Sequence, residues 1–370
     1  MKVLIAIAGM LILLVPPLHA AETLPRELSD DAFWRLISDY SEESGTFRFE
    51  YMSNEQEFQV VIPRLLQNRK PGGVYVGVGP EQNYTYIAAL QPKMAFLVDI
   101  RRDNMLEHLV YKAVFELSAN RGEFLSRLFS RKLPTGLTEK TTARAMFQAF
   151  RAAPSDRTLF QQNLQAIKDN LLSEHKFRLG PDDISRIDYI YRTFFEAGDT
   201  GSAFSTFGQN VYFNNASYAD LMTATDNQGE ARSYLASEEN FRFIRELHRK
   251  NLIVPIVGDF AGTKALRNVG RYIKDHGAMV AAFYTSNVEQ YLFQQGDDWK
   301  KFLANVSTFP LDSSSMFIRS SHFAYGDAQQ PPRQANGRRF IQLLSPMAEV
   351  TKAFNAGKIT GYEDVIQMSK

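Results

Sequence analysis

A few short clusters in this 370-residue chain hold the residues most able to do chemistry. They are Gly77-Val78-Gly79, Asp99, Gly258-Asp259, Ser286-Asn287 with Glu289, and Arg319 with His322. Paired glycines let the backbone turn sharply and let a ligand approach the peptide closely. Asp99 follows Gly79 by 20 residues, a spacing at which a carboxylate can accept from both hydroxyls of a ribose. Asp259 can accept from an exocyclic amine or face a substrate. His322 and Glu289 are the candidate general bases, with Tyr284, Asn287 and Tyr291 as orienting groups. The chain contains no cysteine, which removes disulfides, thiolate nucleophiles and zinc–thiolate centres together. His108, His175, His248 and His276 lack metal-ligand spacing, so no metal is expected. No Gly-x-Ser-x-Gly, His-Glu-x-x-His or phosphate-loop lysine motif is present, leaving hydrolase and nucleotidase readings without an anchor.

These clusters matter only if the elements around them bring them together. Val74–Val76, Met94–Val98, Leu252–Val257, Met279–Tyr284, Ser315–Ile318 and Phe340–Leu344 read as buried strands. Helical segments separate most of them: Asn83–Leu90, Thr263–Asp275 closed by His276-Gly277, a helix carrying Glu289, and one from Pro346. Strands alternating with helices predict a doubly wound, mostly parallel α/β sheet. Between the second and third strands, Met105–Ser130, Thr141–Phe150 and two stripes (Phe160, Leu164, Ile167, Leu171; Ile184, Ile187, Tyr191, Phe194) have helical spacing. They predict a large helical insertion with its own packing. Residues 21–103 are then N-terminal helices plus the first half of the sheet domain, 104–210 the insertion, and 211–370 the second half. In an open parallel sheet, ligands bind at the carboxyl ends of the strands where strand order reverses, and the clusters above all fall at expected strand ends.

At Val74-Tyr75-Val76-Gly77-Val78-Gly79, Leu97-Val98-Asp99, Val257-Gly258-Asp259 and Phe283-Tyr284-Thr285-Ser286-Asn287, the chain resembles class I S-adenosylmethionine-dependent methyltransferases. The resemblance covers about half of the chain beyond residue 20 and implies a methyltransferase-like Rossmann-type fold. It implies S-adenosylmethionine as cofactor, held by Gly77, Gly79, Asn83, Asp99, Gly258, Asp259 and Asn287. Glu289, His322 and Tyr284 would then serve catalysis. As a whole the chain also resembles an exported bacterial family with this fold that carries no established reaction. Two departures stand out: Glu81 occupies the place of the usual third glycine, and Tyr75 that of the usual acid before the first. Glu81 is expected to crowd or repel the amino-acid carboxylate of the cofactor. The alternative reading is a catalytically idle Rossmann domain that binds a ligand or partner.

The N-terminus bears on where either activity would take place. Lys2, an apolar run from Val3 to Val15, Pro16-Pro17 and Leu18-His19-Ala20 form a signal-peptide pattern over residues 1–20. A run of about thirteen apolar residues is short for a hydrocarbon layer of roughly 30 Å. The expectation is an exported protein, periplasmic or secreted, with no stable membrane span after cleavage. A net charge of +1 gives no bulk attraction to nucleic acid or anionic membrane. The expected partner is a small-molecule ligand or an envelope component.

Overall fold

A computed structural model describes residues 23–47, 51–67, 69–198, 216–322 and 340–369, with the side chains of His322 and Phe340 excepted. The signal-peptide segment, residues 1–20, lies outside the described residues.

Six strands form one sheet: β1 (Val74–Gly77), β2 (Met94–Asp99), β3 (Ile253–Val257), β4 (Val280–Ser286), β5 (Met316–His322) and β6 (Phe340–Pro346). Their order is β3-β2-β1-β4-β5-β6. The first five run parallel and β6 runs antiparallel to β5. Every residue of β1, β2 and β3 is buried. Continuous apolar runs such as Met94–Val98 therefore fit, because a parallel sheet is covered on both faces. The chain moves outward from β1 to β2 to β3 and then returns to β4 on the other side of β1. With right-handed crossovers, this reversal sends the connecting helices to opposite faces. It also opens a crevice between the carboxyl ends of β1 and β4.

The helices divide accordingly. On one side, α3 (Gln82–Leu90) and α4 (Arg102–Glu116) pack against α10 (Glu238–Arg249), with α4 lying directly on β2 and β3. On the other, α1 (Asp30–Tyr40) packs on β3 and on α11 (Ala265–Asp275), which meets α13 (Asp298–Val306). The short α2 (Ile62–Gln67) sits against α3, and α12 (Val288–Leu292) follows β4 directly. Two helices, α14 (Met347–Asn355) and α15 (Tyr362–Gln367), close the chain.

The expected single helix over Met105–Ser130 is two, α4 and α5 (Arg121–Phe129). Asn120 ends the continuity by accepting from the Glu123 backbone N–H at 2.9 Å, so it caps a new helix. The insertion continues with α6 (Ala143–Arg151), α7 (Arg157–Asp169, extended by one π-helical turn over Asn170–Glu174), α8 (Pro181–Ala197) and α9 (Tyr218–Thr223). Its apolar residues, among them Phe124, Leu128, Ile187 and Phe194, join the same buried cluster as the sheet. The insertion thus shares the sheet's core rather than packing separately. Polar ties reinforce this. Buried Arg121 on α5 donates to Glu238 on α10 at 2.9 Å and to the Glu139 carbonyl at 2.9 Å. His175, beyond the π-helical turn, sits 2.7 Å from both Asp30 on α1 and Glu116 on α4. Hydrogen bonds to those carboxylates raise the imidazole's pKa against the opposing effect of burial.

Candidate ligand site at the sheet edge

The loop after β1 is built from below. The Asn83 side-chain amide donates to the carbonyls of Val78 (2.9 Å), Gly79 (3.1 Å) and Pro80 (2.8 Å), and its oxygen accepts from the Tyr75 hydroxyl at 2.9 Å. A side chain on Gly77 would collide with that oxygen, its Cβ standing 1.9 Å away. Gly77 and Asn83 therefore shape the loop and do not line the cavity. Tyr75, in the place of the usual acid, supplies the anchor. Gly79 adopts φ +75° with no atom within 4 Å of where a Cβ would stand. Glycine is favoured there by its backbone freedom, and the space above it is open to a ligand.

His108 on α4 braces the loop from the other side. Its Nε2 lies 3.0 Å from the Gly79 carbonyl and its Nδ1 2.7 Å from the Tyr84 hydroxyl. A carbonyl only accepts, so Nε2 carries the proton and Nδ1 accepts from the tyrosine. Burial pushes this imidazole's pKa down to about 4, which keeps it neutral in that role.

Glu81 does not crowd the loop. It is fully buried, and both its oxygens accept from the Ser53 backbone N–H at 3.3 Å. Burial raises its pKa to about 8, so the carboxyl is neutral at pH 7. The expected repulsion of an anionic group is absent because the side chain faces inward and carries a proton. Glu107 on α4 is likewise fully buried, with neither carboxylate oxygen hydrogen-bonded, and burial raises its pKa far above the ordinary value.

A strap that sequence reasoning missed forms the other wall. The Glu42 N–H donates to the Val257 carbonyl (2.8 Å) and the Gly45 N–H to that of Ile100 (2.9 Å), carrying residues 42–47 across the ends of β3 and β2. The Glu42 carboxylate accepts from the N–H groups of Asp259 (2.9 Å), Lys264 (2.7 Å) and Ala265 (3.0 Å), capping the start of α11. Farther along, buried Glu55 accepts from Ser286 Oγ at 2.6 Å, Gln82 Nε2 at 2.8 Å and Gln342 Nε2 at 2.9 Å. It thereby ties its own segment to β4, α3 and β6.

Between strap and sheet lies a cavity of about 180 Å³. Gly79, Asp99, Gly258, Asp259, Tyr284 and Asn287 all line it, so six of the ten residues expected at the site converge. Asp99 is not free, however. Its Oδ1 accepts from the Arg101 backbone N–H (2.9 Å) and Nε (3.0 Å), and its Oδ2 from Arg101 Nη2 (2.9 Å). A carboxylate offers roughly four lone-pair positions, so one is left for a ligand and not the two that a paired ribose contact needs. Asp259 Oδ1 accepts from the Ala261 N–H at 2.8 Å. Asp259 also borders a wider trough of about 1020 Å³ together with Trp34, Glu42 and Lys264.

Glu289 must be removed from the list of bases. It is 1% exposed and ion-paired with fully buried Arg319, whose Nη2 donates at 3.1 Å and whose Nε contacts Oε2, while Thr285 Oγ1 donates at 3.1 Å. Arg319 itself lies within β5, because that strand runs on to His322 and does not end at Ile318. The extension pairs His322 with Phe340 of β6; the His322 side chain is outside the described residues. At the end of β4, Ser286 takes φ +50° beside a bulge in the β4–β5 register. Positive φ is uncommon for a residue with a side chain, and this one turns Ser286 into the cavity wall. Among the described residues no group of three or more His, Asp or Glu is placed to hold a metal ion. No helix there is long and apolar enough to cross a membrane.

Fold and cavity together define an α/β protein with a six-stranded, mostly parallel sheet, compatible with a Rossmann-like fold, and a small crevice at the reversal of strand order. The chain belongs to the domain family of unknown function DUF7790, whose profile matches residues 51–357 and so takes in the whole sheet. A comparison with curated proteins finds no match.

Proposed function

We propose that the chain binds a nucleoside-type ligand, S-adenosylmethionine being the candidate, and transfers a methyl group to a small molecule or an envelope component. The observation that carries this reading is the open space above Gly79 at φ +75°, facing the same cavity as Asp99 and Asp259. Asp99 keeps one acceptor position for a ribose hydroxyl, and Asp259 is available to an amine. Bound S-adenosylmethionine would supply an electrophilic methyl group. The chain's own part would be to align an acceptor beside Tyr284, Ser286 and Asn287 and to exclude water. The cavity is smaller than the ~300 Å³ lower bound of ordinary cofactor pockets, so part of such a ligand must lie at the mouth or in the trough beyond Asp259. The apolar run at residues 3–15 favours an activity outside the cytoplasm.

The Asp99–Arg101 pair favours a second reading, a binding protein of the same fold without catalysis. Calorimetric titration of the purified protein with S-adenosylmethionine and S-adenosylhomocysteine decides between them. Micromolar binding that weakens at least tenfold in Asp99→Asn supports the cofactor reading. No heat at millimolar ligand rejects it and leaves the binding protein.

A further inference from the structure

Four large apolar side chains are exposed among the described residues: Phe47, Leu133, Met279 and Tyr291. Two of them meet at the mouth of the cavity. Phe47, on the strap, and Tyr291, on α12, have ring centroids 5.3 Å apart at 79°, and both line the cavity while Leu133 and Met279 do not. They are 43% and 38% exposed, although an aromatic pair ordinarily contributes most when water is excluded from it. An edge-to-face pair forms a corner, and a third flat ring completes it by stacking on one ring and meeting the edge of the other. Val288, Leu292 and Phe260 extend the same apolar wall.

The floor beneath is polar and rich in acceptors. Glu55 receives three hydrogen bonds and the Tyr284 hydroxyl interacts with it as well, so its roughly four lone-pair positions serve the wall. Ser286 points its own proton at Glu55, so the oxygen it turns to the cavity accepts. An apolar corner over an acceptor floor selects a ligand that is flat on one side and donates on the other.

We propose that this mouth seats a planar aromatic ring bearing a hydroxyl or amino group, with the ring against Phe47 and Tyr291 and the donor directed at Ser286 Oγ. The ring site lies between the strap and α12, on the β4 side, whereas Asp99 and Asp259 end β2 and follow β3. The binding claim stands on this geometry alone. That the ring compound is the methyl acceptor rests on the methyl-transfer reading.

The probe is 2-naphthol, followed by its fluorescence polarisation in the purified protein. Saturable binding is expected, displaced by phenol and not by the non-planar cyclohexanol. Phe47→Ala and Tyr291→Ala should each weaken it about fivefold or more, and Ser286→Ala should weaken it as well. Leu133→Ala, an exposed apolar control, should leave it unchanged. Phe47 and Tyr291 are surface residues, and unchanged circular dichroism will show that their variants fold. Absence of saturable binding, equal displacement by cyclohexanol, or wild-type affinity in both aromatic variants overturns the proposal. Loss of naphthol binding with S-adenosylhomocysteine binding intact counts against the ring site alone; the converse counts against the methyl-transfer reading alone.

Discussion

Replacing Glu81 with glutamine should make the protein's stability less dependent on pH, and the size of the effect follows from where the side chain sits. Folded, the Glu81 carboxyl has a pKa of about 8, against 4.5 ordinarily, because it is fully buried and the backbone N–H groups of Ser53 and of Glu81 itself offset that burial only in part. A carboxyl whose pKa is raised on folding holds its proton in the native state after the unfolded chain has released it. Its contribution to stability is therefore complete below pH 4.5 and is lost as pH rises towards 8, at about 1.4 kcal/mol per pH unit. Between pH 5 and pH 8 the wild-type protein should lose roughly 3 kcal/mol through this one group.

Glutamine keeps the shape and one oxygen for the Ser53 N–H but has no proton to release. Urea unfolding at pH 5, 6, 7 and 8 compares the two proteins. The stability difference, variant minus wild type, should climb by roughly 3 kcal/mol across that range, a relative midpoint shift on the order of 1 M urea. Taking the difference removes His175 and the other titrating groups that stand apart from Glu81. Parallel curves would mean that Glu81 is ionised in the folded state and would refute the argument. The loop carrying Gly79 would then sit above a negative charge after all.

Three further outcomes follow from the same reasoning. Glu289→Gln should destabilise the protein by about 3–5 kcal/mol, seen as a lower thermal midpoint, because it strands the fully buried Arg319 charge; wild-type stability would return Glu289 to the candidate bases. Gly258→Ala should cost about 1–3 kcal/mol by overpacking, since the added Cβ would stand 2.3 Å from that of Ala265 and 3.1 Å from Val98 Cγ1, and denaturant unfolding will measure it. The raised pKa of His175 gives stability that is complete below the unfolded value of 6.5 and lost as pH rises through the folded one. His175→Phe should therefore cost more at pH 6 than at pH 9 in paired thermal melts, and an equal cost at both would show the histidine to be uncharged.

The sheet was legible because its strands are apolar runs between breakers, and all six lie where those runs lie. What was read wrongly depends on partners distant in sequence. Arg319–His322 resembles a polar loop, yet it continues β5 because β6 supplies an antiparallel partner register by register. Glu289 reads as a candidate base until Arg319, thirty residues on, is seen to meet it. The break at Asn120 was visible as a capping residue followed by Glu123, but the apolar spacing on either side hid it. The strap carries no periodicity at all. Ser53 reaches Glu81 across 28 residues and Glu55 is met by Ser286 across 231, and no local pattern announces such contacts. The inward turn of Glu81 was hidden for the same reason, since a family pattern shows the residue type and not the direction of the side chain.

The carboxylates around the cavity share a property that narrows what the site can do. Asp99 is held by Arg101, Glu289 by Arg319, Glu42 by the N–H groups at the start of α11, and Glu55 by three donors. A general base needs a lone pair directed at the proton it removes, and these groups have spent most of theirs on structure. Of those that line the cavity, Asp99 keeps one position, and Asp259 keeps more because it accepts only from the Ala261 N–H. Each suits a fixed hydrogen bond to a ligand better than repeated proton transfer, because moving the carboxylate would break the contacts that shape the wall. Chemistry at such a site would depend on alignment and on exclusion of water. That requirement suits group transfer between two bound molecules better than hydrolysis, in which water itself must be activated.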